Sequence, residues 1–299
     1  MGVRAQDDAL LRAMPWVFVL IWSTGFIVAR YGMPHAPPLT FLVWRYVLSI
    51  VCFLPWIWLA RVAWPATRGQ WLHLAVTGVL MHAGYLGGVW SAVKAGMGSG
   101  LTALIVGLQP VLTAIWLSAR GSRVTPRQWA GLGLGLGGLL LVVWDRMGGG
   151  EVNGLNLGMA VLALLSITAG TLYQKHFVAP CDVRSANAVQ LLAALLVSLP
   201  LAWLEPEVMR WIGPDGGLNW ELLGAMAWSV LGLTLGGSSL LYLLIQRGAA
   251  TSVTSLLYLV PPTTALMAWL LFGEPITWLV VSGTALTAVG VGLVVRAPR

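Results

Sequence analysis

The sequence predicts an all-α polytopic membrane protein whose ten transmembrane helices form two inverted-topology repeats of five helices. Only 9% of the 299 residues are charged and 58% are hydrophobic, whereas soluble domains carry about 25% charged residues. Ten apolar runs of membrane-spanning length succeed one another, and residues of the first half recur in the same order in the second half. Lipid rather than water is therefore the main solvent of this chain.

The ten apolar runs account for nearly the whole chain. A helix needs about 20 mostly apolar residues to cross the hydrocarbon core of a bilayer, and charged or Pro/Gly-rich segments separate the runs. The predicted spans are residues 14–31, 40–60, 71–94, 99–119, 126–144, 154–175, 186–204, 221–246, 251–272 and 276–295. The segment before the first span has no small-residue cleavage site, so we expect an uncleaved first span rather than a signal peptide.

The distribution of Lys and Arg predicts the orientation of the spans, because cytoplasmic loops retain positive charge during insertion. With the N-terminus inside, twelve of these residues fall in cytoplasmic segments. Four fall on the other side, namely Arg30, Lys94, Arg146 and Arg210. We therefore expect a multi-pass protein of a bacterial inner membrane with both termini in the cytoplasm.

The spans of the first half, residues 1–149, are predicted to repeat in residues 150–299. An offset of 152 residues pairs Gly96 with Gly248, Thr102 with Thr254, Pro110 with Pro262, Gly121 with Gly273, Gly131 with Gly283 and Gly138 with Gly290. Because five is an odd number, the second copy starts on the opposite side of the membrane, and a pseudo-two-fold axis in the membrane plane relates the copies. Such a repeat favours a carrier that exchanges outward-open and inward-open states around a midplane site.

The ends of the two repeats carry motifs that resemble those of a known family. Residues 270–295, LLFGEPITWLVVSGTALTAVGVGLVV, are similar to the closing signature of the EamA-type repeat of the drug/metabolite transporter superfamily. Residues 117–143 resemble a decayed copy of that signature, in which Gly121-Ser122 stands in place of Gly273-Glu274.

The first two spans carry motifs similar to those that open the same family's repeat. Residues 22–30, WSTGFIVAR, resemble the W-G-x-x-F-x-x-x-[KR] pattern of its first helix, and Arg45-Tyr46 resembles the RF/RY pair of its second. The resemblance implies a ten-helix carrier of metabolites, often an exporter of amino acids. The tryptophan-rich composition, with 17 such residues, further resembles the YddG-like aromatic amino-acid exporters.

Polar and aromatic side chains deep in the spans are the candidates for substrate binding, because they are costly to expose to lipid and usually face a bundle interior or a cavity. The candidate substrate-binding residues are Trp22, His82, Tyr85, Thr102, Thr168, Ser239, Tyr242 and Tyr258. For each of them a structural role is the alternative. In such a role, a neutral His forms hydrogen bonds to a neighbouring helix, a Thr bonds to the preceding turn of its own helix, and an aromatic ring packs in the core.

His82 and Tyr85 form the sharpest of these candidates. They lie one turn apart on the same face of the third span. The motif LGG at residues 86–88 pairs with LGG at residues 235–237. This pairing places the polar residues Ser239 and Tyr242 of the eighth span opposite the His82 and Tyr85 region of the third. Matching polar steps suit a binding site, although small residues also simply allow helices to approach closely.

Two further features of the spans have two interpretations each. Arg30 and Arg45 lie near the outer ends of their spans, where they attract a substrate carboxylate or extend to the lipid headgroups, and we favour the second. Pro110 and Pro261-Pro262 interrupt the fourth and ninth spans at matching positions. Paired interruptions indicate hinges or backbone groups that line a site, and a static kink is the alternative.

The positions of the charged and metal-binding residue types argue against several function classes. Cys52 and Cys181 have no ligand-like spacing, and no paired carboxylates or Walker-type loop are present, so we expect no catalytic residues, metal, cofactor or ATP-driven step. Lys and Arg stand singly between apolar runs, which argues against a nucleic-acid partner. Every Asp and Glu falls in a loop or at a span end, so we expect uncoupled or weakly coupled efflux.

The sequence as a whole predicts a transporter that works in the bilayer as a monomer or homodimer. The inverted repeat favours alternating access, and the family resemblance implies export of small metabolites, such as aromatic and other neutral amino acids and amphipathic drugs. A channel or facilitator for a small solute, and a nucleobase-type or sugar-type carrier of the same superfamily, are the alternatives.

Overall fold

The computed structural model describes residues 2–121, 125–148, 150–237, 240 and 259–295. Across these residues every regular element is a helix, apart from one antiparallel bridge between Ile212 and Leu218. The predicted all-α class is therefore confirmed.

The helices follow the predicted spans closely. They are α1 (Gly2–Gly32), α2 (Pro38–Leu59), α3 (Arg68–Gly78), α4 (Tyr85–Lys94), α5 (Ser99–Val106), α6 (Gln109–Ala119), α7 (Pro126–Gly148), α8 (Gly154–Phe177), α9 (Val183–Ala202), α10 (Trp220–Ala227), α11 (Val260–Phe272) and α12 (Trp278–Val295). Two π-helical segments, π1 (Val79–Gly84) and π2 (Trp228–Gly237), lie within the third and eighth spans. Each of the ten predicted spans thus coincides with helix over most of its described residues.

The helices are long and apolar enough for a multi-pass membrane protein. Six of them qualify as spans by length and composition, namely Pro38–Leu59, Arg68–Lys94, Ser99–Trp116, Pro126–Met147, Gly154–Phe177 and Val183–Ala202. Three shorter apolar helices cover Trp16–Gly32, Val260–Phe272 and Trp278–Leu293. Exposed tryptophans such as Trp144, Trp203, Trp220 and Trp278 stand at helix ends, where an amphipathic ring suits the headgroup level of a bilayer.

The described residues divide into two compact units, each of which contains segments from both halves of the sequence. Unit 1 comprises residues 1–27, 99–149 and 236–299, and unit 2 comprises residues 28–98 and 150–235. The division of the sequence at residue 149 into two repeats stays a prediction.

Within unit 1, helices α7 and α12 pack through glycines. A Cβ on Gly138 would collide with the carbonyl oxygen of Gly283, and a Cβ on Gly290 would collide with the backbone at Gly131 and Gly135. Such close backbone approach is the usual role of small residues in membrane helices. The glycine series 131–138 thus packs closely against α12.

The fourth span is interrupted where its proline predicts an interruption. Helix α5 ends at Val106 and α6 begins at Gln109, immediately before Pro110. A Cβ on Gly107, in the break, would lie 2.7 Å from Cγ of Pro261 at the start of α11. The break in the fourth span therefore lies against Pro261 inside unit 1, whereas the interruption predicted for the ninth span adjoins residues outside the described ones.

Within unit 2, glycines bring the third span against the sixth and the seventh. Gly78 lies against the backbone of Gln190 on α9, and a Cβ on Gly88 would come within 2.9 Å of Ala163 on α8. A Cβ on Gly84, at the end of π1, would lie 2.6 Å from Oγ of Ser166. This close packing on two sides fixes the position of π1.

Candidate functional site

The two π-helical segments occupy equivalent positions in the sequence repeat. The paired LGG motifs at residues 86–88 and 235–237 give an offset of 149 residues, under which Val79 falls on Trp228. These are the first residues of π1 and π2. Because π-helical turns are rare and frequently mark functional sites, the residues that contact π1 and the start of π2 are candidates for such a site.

Neighbouring residues of α2 bond to the two π segments. Nε of Arg45 donates to Oγ1 of Thr234 in π2 over 3.2 Å. The hydroxyl of Tyr46 donates to the carbonyl oxygen of His82 in π1 over 2.9 Å. Both α2 side chains are buried, with exposed fractions of 7% for Arg45 and 0% for Tyr46.

His82 and Tyr85 lie beside this pair. The His82 ring faces that of Tyr46 edge-on, with centroids 6.3 Å apart, and its side chain interacts with that of Gln190 on α9. The Tyr85 hydroxyl is within electrostatic range of the Arg45 guanidinium. We call Arg45, Tyr46, His82, Tyr85, Gln190 and Thr234 the polar cluster. Its chemistry combines one cation with hydroxyl, amide and imidazole groups in otherwise apolar spans.

The burial of Arg45 corrects the interpretation that the sequence favoured. Arg45 does not extend to the headgroups, because its side chain is turned into unit 2, where Thr234 holds it. Within the part of the chain that the structure describes, no Asp or Glu oxygen lies within 4 Å of its guanidinium. A buried arginine without an acidic partner is unusual in a membrane span.

The other predicted site residues fall in three groups. Trp22 is partly buried in unit 1, with its ring centroid 5.3 Å from that of Phe18, and Thr102 is fully buried in α5. The hydroxyl of Thr168 donates to the carbonyl of Leu164 over 2.7 Å, within its own helix. Ser239, Tyr242 and Tyr258 lie outside the described residues. Of the predicted set, the structure brings together His82 and Tyr85.

Sequence reasoning did not group the other four members of the polar cluster with His82 and Tyr85, although it gave attraction of a substrate carboxylate as one of two interpretations of Arg45. A signal existed for Arg45 and Gln190, since each is a strongly polar side chain inside an apolar run. Tyr46 carried only its place in the pair that resembles the family's RF/RY motif. Thr234 carried none, because a Thr in a span is common and its partner lies far away in the chain. Among the described residues, no group of three or more His, Cys, Asp or Glu could hold a metal ion.

Comparison with known proteins assigns the chain to a family. The model of the EamA-like transporter family matches it twice, over residues 14–144 and 155–296. The chain belongs to the EamA-like transporter family. Together the two matches cover nearly the whole length of the chain. This agrees with the resemblance of its motifs to the EamA-type repeat of the drug/metabolite transporter superfamily. Family membership indicates a transporter rather than an enzyme.

Relatives of this EamA-family chain carry transporter names. It is 25% identical over 260 residues to the uncharacterized inner membrane transporter YedA of Escherichia coli (strain K12), covering 86% of this chain and 81% of the relative. It is 26% identical over 281 residues to a probable amino-acid metabolite efflux pump of Salmonella typhimurium (strain LT2), covering 91% and 90%. A crystal structure of a protein that is 17% identical matches 95% of this chain with a TM-score of 0.64, and this likeness supports the fold.

The closing EamA signature has a structural role in unit 1. Gly273 ends α11 in a left-handed conformation with φ of 65°, which glycine adopts without strain. The carboxylate of the adjacent Glu274 then accepts from the backbone N–H of Ser99 over 2.9 Å and of Gly100 over 3.4 Å. The Gly-Glu pair of this EamA protein thus turns the chain and caps the N-terminus of α5.

Other glutamates of the EamA chain also occupy helix N-termini. Glu205 accepts from the backbone N–H groups of Leu39 and Thr40 at the start of α2, both over 2.8 Å. Glu151 accepts from the N–H of Gly98, just before α5, over 2.8 Å. These carboxylates satisfy N–H groups that a helix leaves without partners at its start.

Proposed function

We propose that this EamA-family chain exports small zwitterionic metabolites, aromatic and other neutral amino acids among them, across a bacterial inner membrane by alternating access. The observation that carries the proposal is the polar cluster of unit 2. Its cation, hydroxyls and imidazole lie among apolar helices and offer few but specific contacts, as expected for a site that binds a small amphipathic molecule.

Two sequence likenesses support amino acids as the substrate class. One relative, 26% identical to this chain, is named a probable amino-acid metabolite efflux pump. The sequence also resembles the YddG-like aromatic amino-acid exporters, and this resemblance supports aromatic substrates.

We also propose that transport is uncoupled or weakly coupled to ion gradients. In the described part of unit 2, the carboxylates of Glu151, Glu205 and Glu207 bond backbone N–H groups or Lys94 near helix ends. None of them is placed to carry protons through the spans, whereas carriers driven by protons or sodium use ionisable groups at that depth. A solute gradient then drives export.

Transport by the purified full-length protein in vesicles tests the proposal. Vesicles loaded with radiolabelled L-phenylalanine should release it with saturable kinetics, and release should accelerate when unlabelled neutral amino acids are outside, because an alternating-access carrier exchanges substrates. Release that stays linear with concentration would indicate a channel instead.

A second arm of the same experiment addresses coupling. Release should persist when an ionophore collapses the pH gradient. The uncoupled mechanism is wrong if the ionophore stops release by the wild-type protein while release by a His82→Gln variant does not depend on the pH gradient. That result would identify His82 as a proton-binding group.

A further inference from the structure

Arg45 lies well inside its apolar helix rather than at the end of that helix. It is the eighth residue of α2, which begins at Pro38, so at 1.5 Å per residue it lies roughly 10 Å along the helix from that end. Only 7% of the residue is exposed. A charge at this depth is costly unless it is paired or serves a function.

The guanidinium uses only part of its hydrogen-bonding capacity. Of its five N–H donors, the one on Nε bonds Thr234. The four on the two Nη groups bond to no residue that the structure describes. The residue as a whole keeps 7% of its surface exposed. No described residue therefore occupies the end of the side chain that normally binds an anion.

The carboxylates of unit 2 are already engaged elsewhere. Glu205 bonds the start of α2, Lys94 pairs with Glu207, and the Asp182 carboxylate pairs with Arg184 over 2.8 Å. None of these acids lies within 4 Å of Arg45. No described acidic residue therefore neutralises the Arg45 charge, and an anion from outside the protein fits this place.

The guanidinium is also held in a fixed orientation. Oγ1 of Thr234 accepts from Nε of Arg45 and donates to the carbonyl of Ser229 over 2.9 Å. The hydroxyl proton is thus committed to Ser229, and its lone pairs remain for Arg45. Such positioning directs the Nη edge of a planar guanidinium, which matches the two oxygens of a carboxylate.

We propose that the Nη groups of Arg45 bind the carboxylate of the transported substrate and make this carboxylate the main determinant of specificity. The inference rests on the proposed function, because it assigns one group of the proposed amino-acid substrate to one residue. Thr234 is the positioning residue. The Tyr85 hydroxyl and the His82 ring lie within electrostatic range of the same guanidinium.

Competition between matched compounds tests the proposal without any mutation. Uptake of radiolabelled L-phenylalanine into vesicles with the wild-type protein should be inhibited by L-phenylalanine about 10- to 100-fold more strongly than by L-phenylalaninamide, the loss expected when a hydrogen-bonded charge is removed. Equal inhibition by acid and amide would overturn the inference.

Two variants and a control locate the effect at Arg45. Arg45→Gln should abolish the preference for the acid over the amide, and Arg45→Lys should retain a smaller preference because it keeps the charge and loses the two-pronged geometry. Arg210→Gln makes the same charge change at an exposed arginine of the same unit and should keep the full preference. A loss of preference in Arg210→Gln equal to that in Arg45→Gln would overturn the inference.

A thermal-stability assay separates this inference from the proposed function. If wild-type vesicles transport no phenylalanine, the amino-acid proposal fails, and Arg45 is then tested by ligand-induced stabilisation with phenylalanine, phenylpyruvate and phenylethylamine. Stabilisation by the two carboxylates alone, in wild type and Arg210→Gln but not in Arg45→Gln, supports the site. Equal stabilisation in Arg45→Gln, or none by either carboxylate in wild type, overturns it.

Discussion

Arg45 and Tyr46 are neighbours in the chain, yet they bond to elements from opposite halves of the sequence. Tyr46 holds the carbonyl of His82 in π1, and Arg45 holds the hydroxyl of Thr234 in π2. The residue pair that resembles the family's RF/RY motif therefore has two tasks. One residue fixes the backbone of a π-helical segment, and the other presents a charge.

The hydroxyl of Tyr46 is expected to stabilise π1. Tyr46→Phe leaves the buried carbonyl of His82 without this donor and should lower the free energy of unfolding by about 1 kcal/mol. Tyr85→Phe is the matched control, because the Tyr85 hydroxyl bonds to no described residue. Thermal unfolding in detergent should show a lower midpoint for the first variant and an unchanged midpoint for the second. Equal midpoints for both would contradict the role given to Tyr46.

The pair Asp182 and Arg184 predicts a pH-dependent contribution to stability outside the spans. Hydrogen bonds from Arg184 hold the pKa of the Asp182 carboxyl below its usual value of 3.8. A carboxyl whose pKa is lower in the folded state stabilises the fold above the unfolded pKa, and this contribution disappears as the pH falls through the folded value.

Replacement of the carboxyl measures that contribution. Asp182→Asn keeps the side-chain oxygen that caps α9 and removes the charge. The unfolding midpoint of the wild type should fall more than that of Asp182→Asn as the pH is lowered from about 6 to about 3. Parallel curves would show that the pair contributes nothing.

At the scale of elements, hydropathy predicted the helices well because a membrane span must satisfy its backbone internally. The break before Pro110 was also predicted from the sequence, since proline lacks the backbone N–H that donates a helix hydrogen bond. The π segments were not predicted from the sequence. Their hydrogen bonds span five residues instead of the four of an α-helix, and they depend on packing such as that of Gly78 on Gln190. The burial of Arg45 was missed for a similar reason, as its partner Thr234 lies 189 residues away.

The glycine contact between α7 and α12 makes a position-specific prediction. Gly138→Ala places a methyl group against the carbonyl of Gly283 and should destabilise the protein by about 1–3 kcal/mol. Gly137→Ala is the matched control on the same helix, where a Cβ meets nothing within 4 Å, and alanine is the better helix former by about 1 kcal/mol. Thermal unfolding and monodispersity in size-exclusion chromatography compare the two. Similar losses in both would contradict the packing described for Gly138.

At the scale of the whole molecule, the excess of Lys and Arg predicts that both termini are cytoplasmic. The loop between α8 and α9 then also lies inside, and it contains the free Cys181. The loop between α9 and α10 lies outside, and it contains the exposed Asp215.

Cysteine labelling in intact cells tests this orientation. In a Cys52→Ser background, a membrane-impermeant maleimide should label Cys181 only after permeabilisation. Burial and the adjacent Asp182 raise the pKa of the Cys181 thiol, so labelling is done at mildly alkaline pH to favour the thiolate. Asp215→Cys in a background without Cys52 and Cys181 should be labelled in intact cells. The reverse pattern would invert the predicted topology.

The contact between α7 and α12 also has a genetic consequence. Every single-base change of a glycine codon that alters the amino acid introduces a side chain, so no mild substitution exists at Gly138, Gly283 or Gly290, where the two backbones touch. In a saturating mutational scan these codons should stand out as intolerant to all missense changes, while the glycine at 137 tolerates many. The line along which two halves of one gene meet would then be visible from survival counts alone.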